Sequence, residues 1–130
     1  MIVVDASAML EAILRTPAAS AVERRLFEPS QTLHVPHLLD VEVAQVVRRY
    51  VANNEIDSER GRTAIADLAD FPLHRYPHDF LLPRIWELGS NFTAYDAAYV
   101  ALAEALDAPL LTRDKRLAAS PGHHARIELV

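Results

Sequence analysis

The sequence predicts an α/β domain in which helices cover both faces of a mainly parallel, five-stranded sheet. Segments with strand character alternate with segments of helical periodicity, and strands joined through helices pair in parallel by right-handed crossovers. The first strand segment, Ile2–Val4, is apolar and β-branched without interruption, which is typical of a strand covered on both faces. The 130 residues, 51% of them hydrophobic, are enough for one core. We therefore expect residues 1–130 to form a single domain.

Prolines and an asparagine pair divide the first half of the chain into elements. One helix ends before Pro17 and a second before Pro29, since proline lacks the amide hydrogen that a helix interior requires. The segment TLHV is a predicted strand closed by Pro36, and the apolar spacing after it is helical up to the turn at Asn53-Asn54. The elements predicted after the first strand are a helix at Ala8–Leu14, a helix at Ala18–Phe27, a strand at Thr32–Val35, a long helix from Leu39 and a helix at Asp57–Ala69.

The second half continues the alternation of strands and helices. A helix at Phe80–Leu88 has Pro83 in its first turn or is kinked there, and Gly89 is expected to end it. The segment NFTAYDAAYVALAEAL, Asn91–Leu106, is helical, with Thr93 suited to cap its first turn. The remaining predicted elements are strands at Leu73–Pro77, Pro109–Thr112 and the C-terminal segment ARIELV, and a short helical turn at Lys115–Ala118.

Bulk composition excludes several classes of protein and site. The net charge is -5, which argues against a broad basic surface for non-specific nucleic-acid binding and leaves room for a local basic patch. The absence of cysteine excludes disulfides, thiolate zinc sites and cysteine nucleophiles, so a bound metal is expected to be a hard ion. The sequence contains no apolar segment suited to a membrane span or a signal peptide, and we expect a cytoplasmic protein.

Four acidic residues are predicted to meet at one edge of the sheet. Asp5 directly follows the first strand, Asp114 follows the fourth strand after Arg113, and Glu42 and Asp96 lie near the starts of helices that begin at the same edge. Carboxylates held close together repel one another, and in the absence of a matching cluster of bases a divalent cation would relieve the repulsion. Oxygen ligands favour Mg²⁺ or Mn²⁺, ions that activate water and hold phosphate oxygens in phosphate-ester chemistry.

Separate structural roles explain the same four acids equally well. Asp5 and Asp114 are placed to cap short helices, and Glu42 and Asp96 would each favour a first helical turn by complementing the helix dipole. Asp96 also lies three residues after Thr93, which is the spacing of a capping box. The pattern alone leaves a shared metal site and four independent caps as alternatives.

Four segments resemble, in order and spacing, the motifs of PIN-domain ribonucleases of the VapC toxin type: VVDASAMLEAIL, VEVAQVVRR, TAYDAAYVALAEAL and LLTRDKRL. The resemblance covers nearly the whole chain. It implies a three-layer α/β/α sandwich, Mg²⁺- or Mn²⁺-dependent endonucleolytic cleavage of RNA, inhibition by a VapB-type antitoxin, and a homodimer. It also implies that the metal-binding and catalytic acids are Asp5, Glu42, Asp96 and Asp114, with hydroxyls that support water or metal at Ser7 and Thr112.

The chain departs from the family pattern at two positions. Phe92 stands where leucine is commoner, and Gln45 stands where some members carry asparagine, so Gln45 is given no catalytic role. Neither departure affects the four acids. The resemblance implies transfer RNA or ribosomal RNA as the target and does not choose between them.

Basic and aromatic residues near these motifs are further candidates for RNA binding. Arg113, Lys115 and Arg116 flank the fourth acid and are the first choice for phosphate contacts, with an ordinary solvated face as the alternative. Trp86 and Tyr99 are expected in the core and not to stack on bases.

Two rival functions are kept open by the sequence. An aspartate after the first strand also suits aspartyl-phosphate enzymes and receiver domains. However, DAS lacks the second aspartate two residues on that such phosphatases use, and Tyr76-Pro77 stands where a receiver needs an acid. The other rival is a PIN-like module that has lost cleavage and only binds a partner, and the presence of all four acids argues against it.

Overall fold

The chain folds into five β-strands and seven α-helices, and the computed structural model describes all residues, 1–130. The strands are β1 (Ile2–Val4), β2 (Leu33–Pro36), β3 (Leu73–Tyr76), β4 (Leu110–Thr112) and β5 (Ile127–Leu129). The helices are α1 (Ala6–Leu14), α2 (Ala19–Leu26), α3 (Leu38–Ala52), α4 (Ser58–Asp70), α5 (Leu82–Glu87), α6 (Ala94–Leu106) and α7 (Lys115–Ala119). Two 3₁₀ turns, Asp79–Leu81 and Leu88–Ser90, flank α5.

All neighbouring strands of the single sheet are parallel. Their order is β3-β2-β1-β4-β5. The central strand β1 pairs with β2 through Val3 opposite His34, and with β4 through Val3 opposite Leu110. Every residue of β1 is fully buried, as the uninterrupted apolar run predicts. The carboxyl ends of all five strands consequently lie along one edge of the sheet, which confirms the predicted topology.

Helices cover the sheet on both sides. The helix α1 packs against α2, α3 and α4, while α6 packs against α5 and against β1 and β2. All residues from Ala97 to Ala103 in the middle of α6 are buried, which accounts for the almost wholly apolar sequence of that segment. The predicted α/β/α arrangement is therefore confirmed as a fold. None of the helices combines the length and the apolar character needed to cross a bilayer.

Side-chain caps fix where three helices begin at the carboxyl edge of the sheet. The backbone of Asp5 is extended, and its carboxylate accepts a hydrogen bond from the amide of Ala8 at the start of α1. Thr93 caps α6 by accepting the amide of Asp96 at 3.1 Å, and Asp114 caps α7. The predicted capping roles of Asp5 and Asp114 are thus confirmed, and capping leaves both side chains at the edge where β1 and β4 end.

The predicted and observed boundaries differ most around α5. The single helix predicted at Phe80–Leu88 is a 3₁₀ turn, the six-residue α5 and a second 3₁₀ turn, with Pro83 in the first turn of α5. Gly89 lies within the second 3₁₀ turn and does not end the helix. The prediction that Trp86 belongs to the core is wrong, because its exposed fraction is 85%. The reason is that α5 is a short connection with no fully buried residue, so its apolar side chains lie partly or wholly in solvent.

Candidate active site

Hydroxyl groups hold both carboxylate oxygens of Asp5, which is the most buried of the four predicted site acids. Ser7 Oγ donates to Oδ1 at 2.6 Å, and Thr112 Oγ1 donates to Oδ2 at 2.5 Å. Each hydroxyl is oriented in turn by a backbone amide, because Ser7 accepts from Arg113 and Thr112 accepts from Asp114, both at 2.9 Å. Ser7 and Thr112 therefore act on the site through Asp5, to which both hydroxyl protons are committed.

Glu42 is held by a tyrosine from the opposite helical layer. Tyr99 of α6 donates its hydroxyl to Glu42 Oε1 at 2.5 Å. Burial raises the pKa of Tyr99, and the charge of Glu42 raises it further, so the phenol keeps its proton and remains a donor. The prediction that Tyr99 lies in the core is confirmed, since its exposed fraction is 2%, but sequence reasoning missed its bond to an acid. The one available signal was the spacing of three residues between Asp96 and Tyr99, which lie on the same face of a helix.

Asp96 lies in the first turn of α6 and is half-buried. Burial raises the pKa of its carboxyl group, the charge of Asp114 raises it further, and Arg116 opposes the shift. An acid at this edge can cap a helix and also take part in the cluster. Asp5 and Asp114 both cap helices, yet the charge of Asp96 raises the pKa of Asp5 and the charge of Asp114 raises the pKa of Asp96.

Capping is thus observed for Asp5 and Asp114, and Asp96 lies in a first helical turn as predicted. The first-turn role predicted for Glu42 is wrong, because α3 begins at Leu38 and the acid in its first turn is Asp40. A shared metal site stays a prediction.

Mutual repulsion couples the four carboxylates. Burial is the first cause of the raised pKa of Asp5 and of Glu42, and the charge of Asp96 raises both further. The charge of Asp5 also raises the pKa of Glu42, and the charge of Asp114 raises the pKa of Asp96. The structure therefore brings the four predicted residues into one negatively charged cluster, contributed by the β1–α1 junction, α3, α6 and the β4–α7 junction.

The donor chemistry of this acid cluster fits a hard divalent cation. All its ligand atoms are oxygens, and Arg116 is the only cation that lowers the pKa of Asp5, Glu42 or Asp96. The side chains as placed do not yet converge, since no group of three or more His, Asp or Glu residues is positioned to hold a metal ion. Binding of an ion here would require side-chain movements that bring the carboxylates closer together.

Comparisons with known proteins identify the family. The PIN domain model matches residues 2–122. The chain is also 45% identical to the ribonuclease VapC12 of Mycobacterium tuberculosis over 130 residues, which is 100% of this chain and 99% of the relative. This chain is a PIN-domain protein of the VapC group. Membership of this group removes the aspartyl-phosphate enzymes and receiver domains as alternatives.

Two solved structures share the fold of this PIN domain. VapC20 of Mycobacterium tuberculosis, described as a sarcin-ricin loop cleaving toxin, has a TM-score of 0.71 at 13% identity, covering 92% of this chain and 94% of that one. VapBC2 of Rickettsia felis, bound to a DNA fragment from its promoter, has a TM-score of 0.65 at 15% identity, covering 99% and 98%. At these identities the likeness establishes the fold alone.

The three basic residues predicted to contact RNA lie exposed beside the acid cluster of the PIN domain. The guanidinium of Arg113 donates to the carbonyl of Val130 at 2.6 Å, which ties it to the C-terminus. Lys115 opens α7, and Arg116 lies near enough to Asp96 to lower its pKa. A small basic surface thus adjoins the acid cluster in a chain of net negative charge, and RNA binding by these residues stays a prediction.

Proposed function

We propose that this PIN domain is a metal-dependent endoribonuclease toxin that cleaves transfer or ribosomal RNA in the cytoplasm. The observation that carries the proposal is the cluster of four electrostatically coupled carboxylates at the carboxyl edge of a parallel sheet. The relationship to VapC12, named as a ribonuclease, supports RNA as the substrate, and the description of VapC20 supports a structured ribosomal target among the candidates. The choice between transfer and ribosomal RNA is left to the cleavage experiment below.

In this proposal Asp5, Glu42, Asp96 and Asp114 hold Mg²⁺ or Mn²⁺. The bound ion would supply activation of water and neutralisation of charge at the phosphate. The chain contributes preorganisation. Ser7 and Thr112 fix the rotamer of Asp5, so that its carboxylate would lose little conformational entropy when it binds the ion.

RNA binding is assigned to Arg113, Lys115 and Arg116. Their positive charges would attract the phosphate backbone and offset the repulsion that the acid cluster exerts on it. Contacts to phosphates orient the strand and carry no base specificity, so the choice of RNA would depend on shape and loop contacts elsewhere.

Association with partners is the second part of the proposal: a VapB-type antitoxin neutralises the enzyme, and the enzyme forms a homodimer. The likeness to VapBC2 supports the antitoxin. Support for an assembly also comes from α5, where Leu82 and Trp86 lie one turn apart, are exposed, and line a groove of about 910 Å³ together with Phe92. Light scattering after size-exclusion chromatography would measure the mass, and a monomer at micromolar concentration would contradict the homodimer.

Cleavage of a mixed pool of cellular RNA by antitoxin-free protein tests the enzyme. We expect cuts with Mg²⁺ or Mn²⁺, none with EDTA, and loss of most activity in Asp96→Asn. Asp70→Asn at the exposed end of α4 is the matched control and should cleave normally. Sequencing the cut ends would identify the RNA.

A module that only binds its partner makes the opposite prediction. A folded, unmodified protein that binds its antitoxin and leaves transfer and ribosomal RNA intact would overturn the nuclease proposal. Full cleavage by Asp96→Asn would instead overturn the role given to that residue.

A further inference from the structure

We propose that Tyr99 is a positioning residue for this site, whose hydroxyl holds the Glu42 carboxylate where it can join a bound metal ion. The inference rests on the proposed function and deepens it. Tyr99 would touch neither RNA nor metal, and would act through Glu42 alone.

The packing of Tyr99 makes its hydroxyl a fixed point. The side chain is fully enclosed, on a helix that packs against the central strands β1 and β2. A tyrosine has only two side-chain torsions, and enclosure of the ring leaves neither free, so the core sets the position of the hydroxyl. The hydrogen bond to Glu42 Oε1 joins α6 to α3 across 57 residues of chain.

Glu42 depends on this contact for its orientation. A glutamate has three side-chain torsions, and no other protein group donates a hydrogen bond to its carboxylate. Tyr99 occupies Oε1 and leaves Oε2 without a protein donor. The bond therefore selects one orientation of a half-buried acid that two neighbouring carboxylates repel, and it leaves one oxygen available to a cation.

If Tyr99 had only a structural role, any acceptor that satisfies its buried hydroxyl would serve equally well. The acceptor observed is a site acid with no other protein donor, since Asp5 is held by Ser7 and Thr112 while Glu42 is held by Tyr99 alone. Groups that orient metal ligands in this way typically change metal affinity or activity about 10- to 100-fold when removed.

Isothermal titration calorimetry of Mn²⁺ binding to the metal-free protein tests the inference independently of RNA cleavage. Tyr99→Phe keeps the packed ring and deletes the hydroxyl, and we expect it to weaken Mn²⁺ binding about 10- to 100-fold. The matched control is Tyr76→Phe, which deletes a hydroxyl bonded to the imidazole of His34 at 2.7 Å and should leave Mn²⁺ affinity unchanged. A Glu42→Gln background provides a double-mutant cycle, in which Tyr99→Phe should cause little further loss.

The outcomes separate the inference from the function beneath it. If the unmodified protein binds no Mn²⁺, the proposed function fails and the inference fails with it. If the unmodified protein binds Mn²⁺ and Tyr99→Phe binds it equally well, only the inference is overturned. An equal loss of affinity from Tyr99→Phe with and without Glu42 would also overturn it, because Tyr99 would then act through the fold and not through Glu42.

Discussion

Replacement of Thr112 with valine tests the hydrogen bonds that hold Asp5. Thr112 is fully buried, donates to Asp5 Oδ2 at 2.5 Å and accepts from the amide of Asp114 at 2.9 Å. Valine keeps the branched shape and removes both bonds. Loss of a hydrogen bond to a charged group costs about 1.5–3 kcal/mol. The amide of Asp114 is part-buried, so its loss of a partner adds at most the cost of an unpaired buried donor, about 1–3 kcal/mol. The extra buried methyl group returns about 0.8 kcal/mol.

We therefore expect Thr112→Val to lower the free energy of unfolding by about 2–4 kcal/mol, because Asp5 can relieve part of the loss by taking up a proton. Urea denaturation of the metal-free protein at neutral pH measures this quantity. Thr63→Val, an equivalent change at an exposed position of α4, is the control and should shift stability by less than about 0.5 kcal/mol. A Thr112→Val protein as stable as that control would refute the claim that this hydroxyl is energetically committed to Asp5.

Three further predictions follow from the site and from the helix packing. Asp96→Asn should raise the Tm of the metal-free protein at neutral pH and lose this advantage in acid. The raised pKa of Asp96 means that its contribution to stability is full below the unfolded-state pKa and is lost as the pH rises through the folded-state value, which a pH series of thermal melts would detect. Mg²⁺ should stabilise the unmodified protein by about 2.7 kcal/mol at 100 times its Kd and leave Asp5→Asn unaffected, as followed by differential scanning fluorimetry. Gly61→Ala should destabilise by about 1–2 kcal/mol in urea, because a Cβ would lie 2.8 Å from Cγ2 of the stiff, β-branched Val51, an overlap that outweighs about 1 kcal/mol of helix propensity.

Each of these three predictions has its own contrary result. An Asp96→Asn protein that melts below the unmodified one at neutral pH would show that repulsion does not govern this cluster. Equal stabilisation of Asp5→Asn by Mg²⁺ would place the ion elsewhere. Gly89→Ala, where nothing lies within 4 Å of an added Cβ, is the control for Gly61→Ala, and equal stability of the two would remove the steric argument.

The sheet and most helices were predictable because their signals are local. The β-branched run of β1, the proline after α1 and the proline at the end of β2 each act within a few residues. The observed bounds of these three elements differ from the predicted ones by two residues or fewer. Around α5 the local signal was ambiguous, because six residues are too few to establish an amphipathic face. The exposure of Trp86 depends on how this connection lies on α6, which no spacing in the sequence specifies.

For the site, sequence reasoning could place residues at the sheet edge but could not assign their contacts. The positions of Asp5 and Asp114 follow from strand ends and topology alone. The bonds from Thr112 to Asp5 and from Tyr99 to Glu42 span 107 and 57 residues, so they depend on tertiary packing. The family resemblance associates the hydroxyls of Ser7 and Thr112 with water or metal. In this structure both donate to Asp5, which the sequence could not show because the contact between Thr112 and Asp5 depends on tertiary packing.

A crystal structure with bound Mn²⁺, with data collected at the manganese absorption edge, is the most direct test of a metal site in the acid cluster. The account predicts an anomalous difference peak contacted by the carboxylates of Asp5 and Asp96, with Glu42 and Asp114 nearby. No peak in crystals saturated with Mn²⁺, or a peak remote from these four residues, would contradict it.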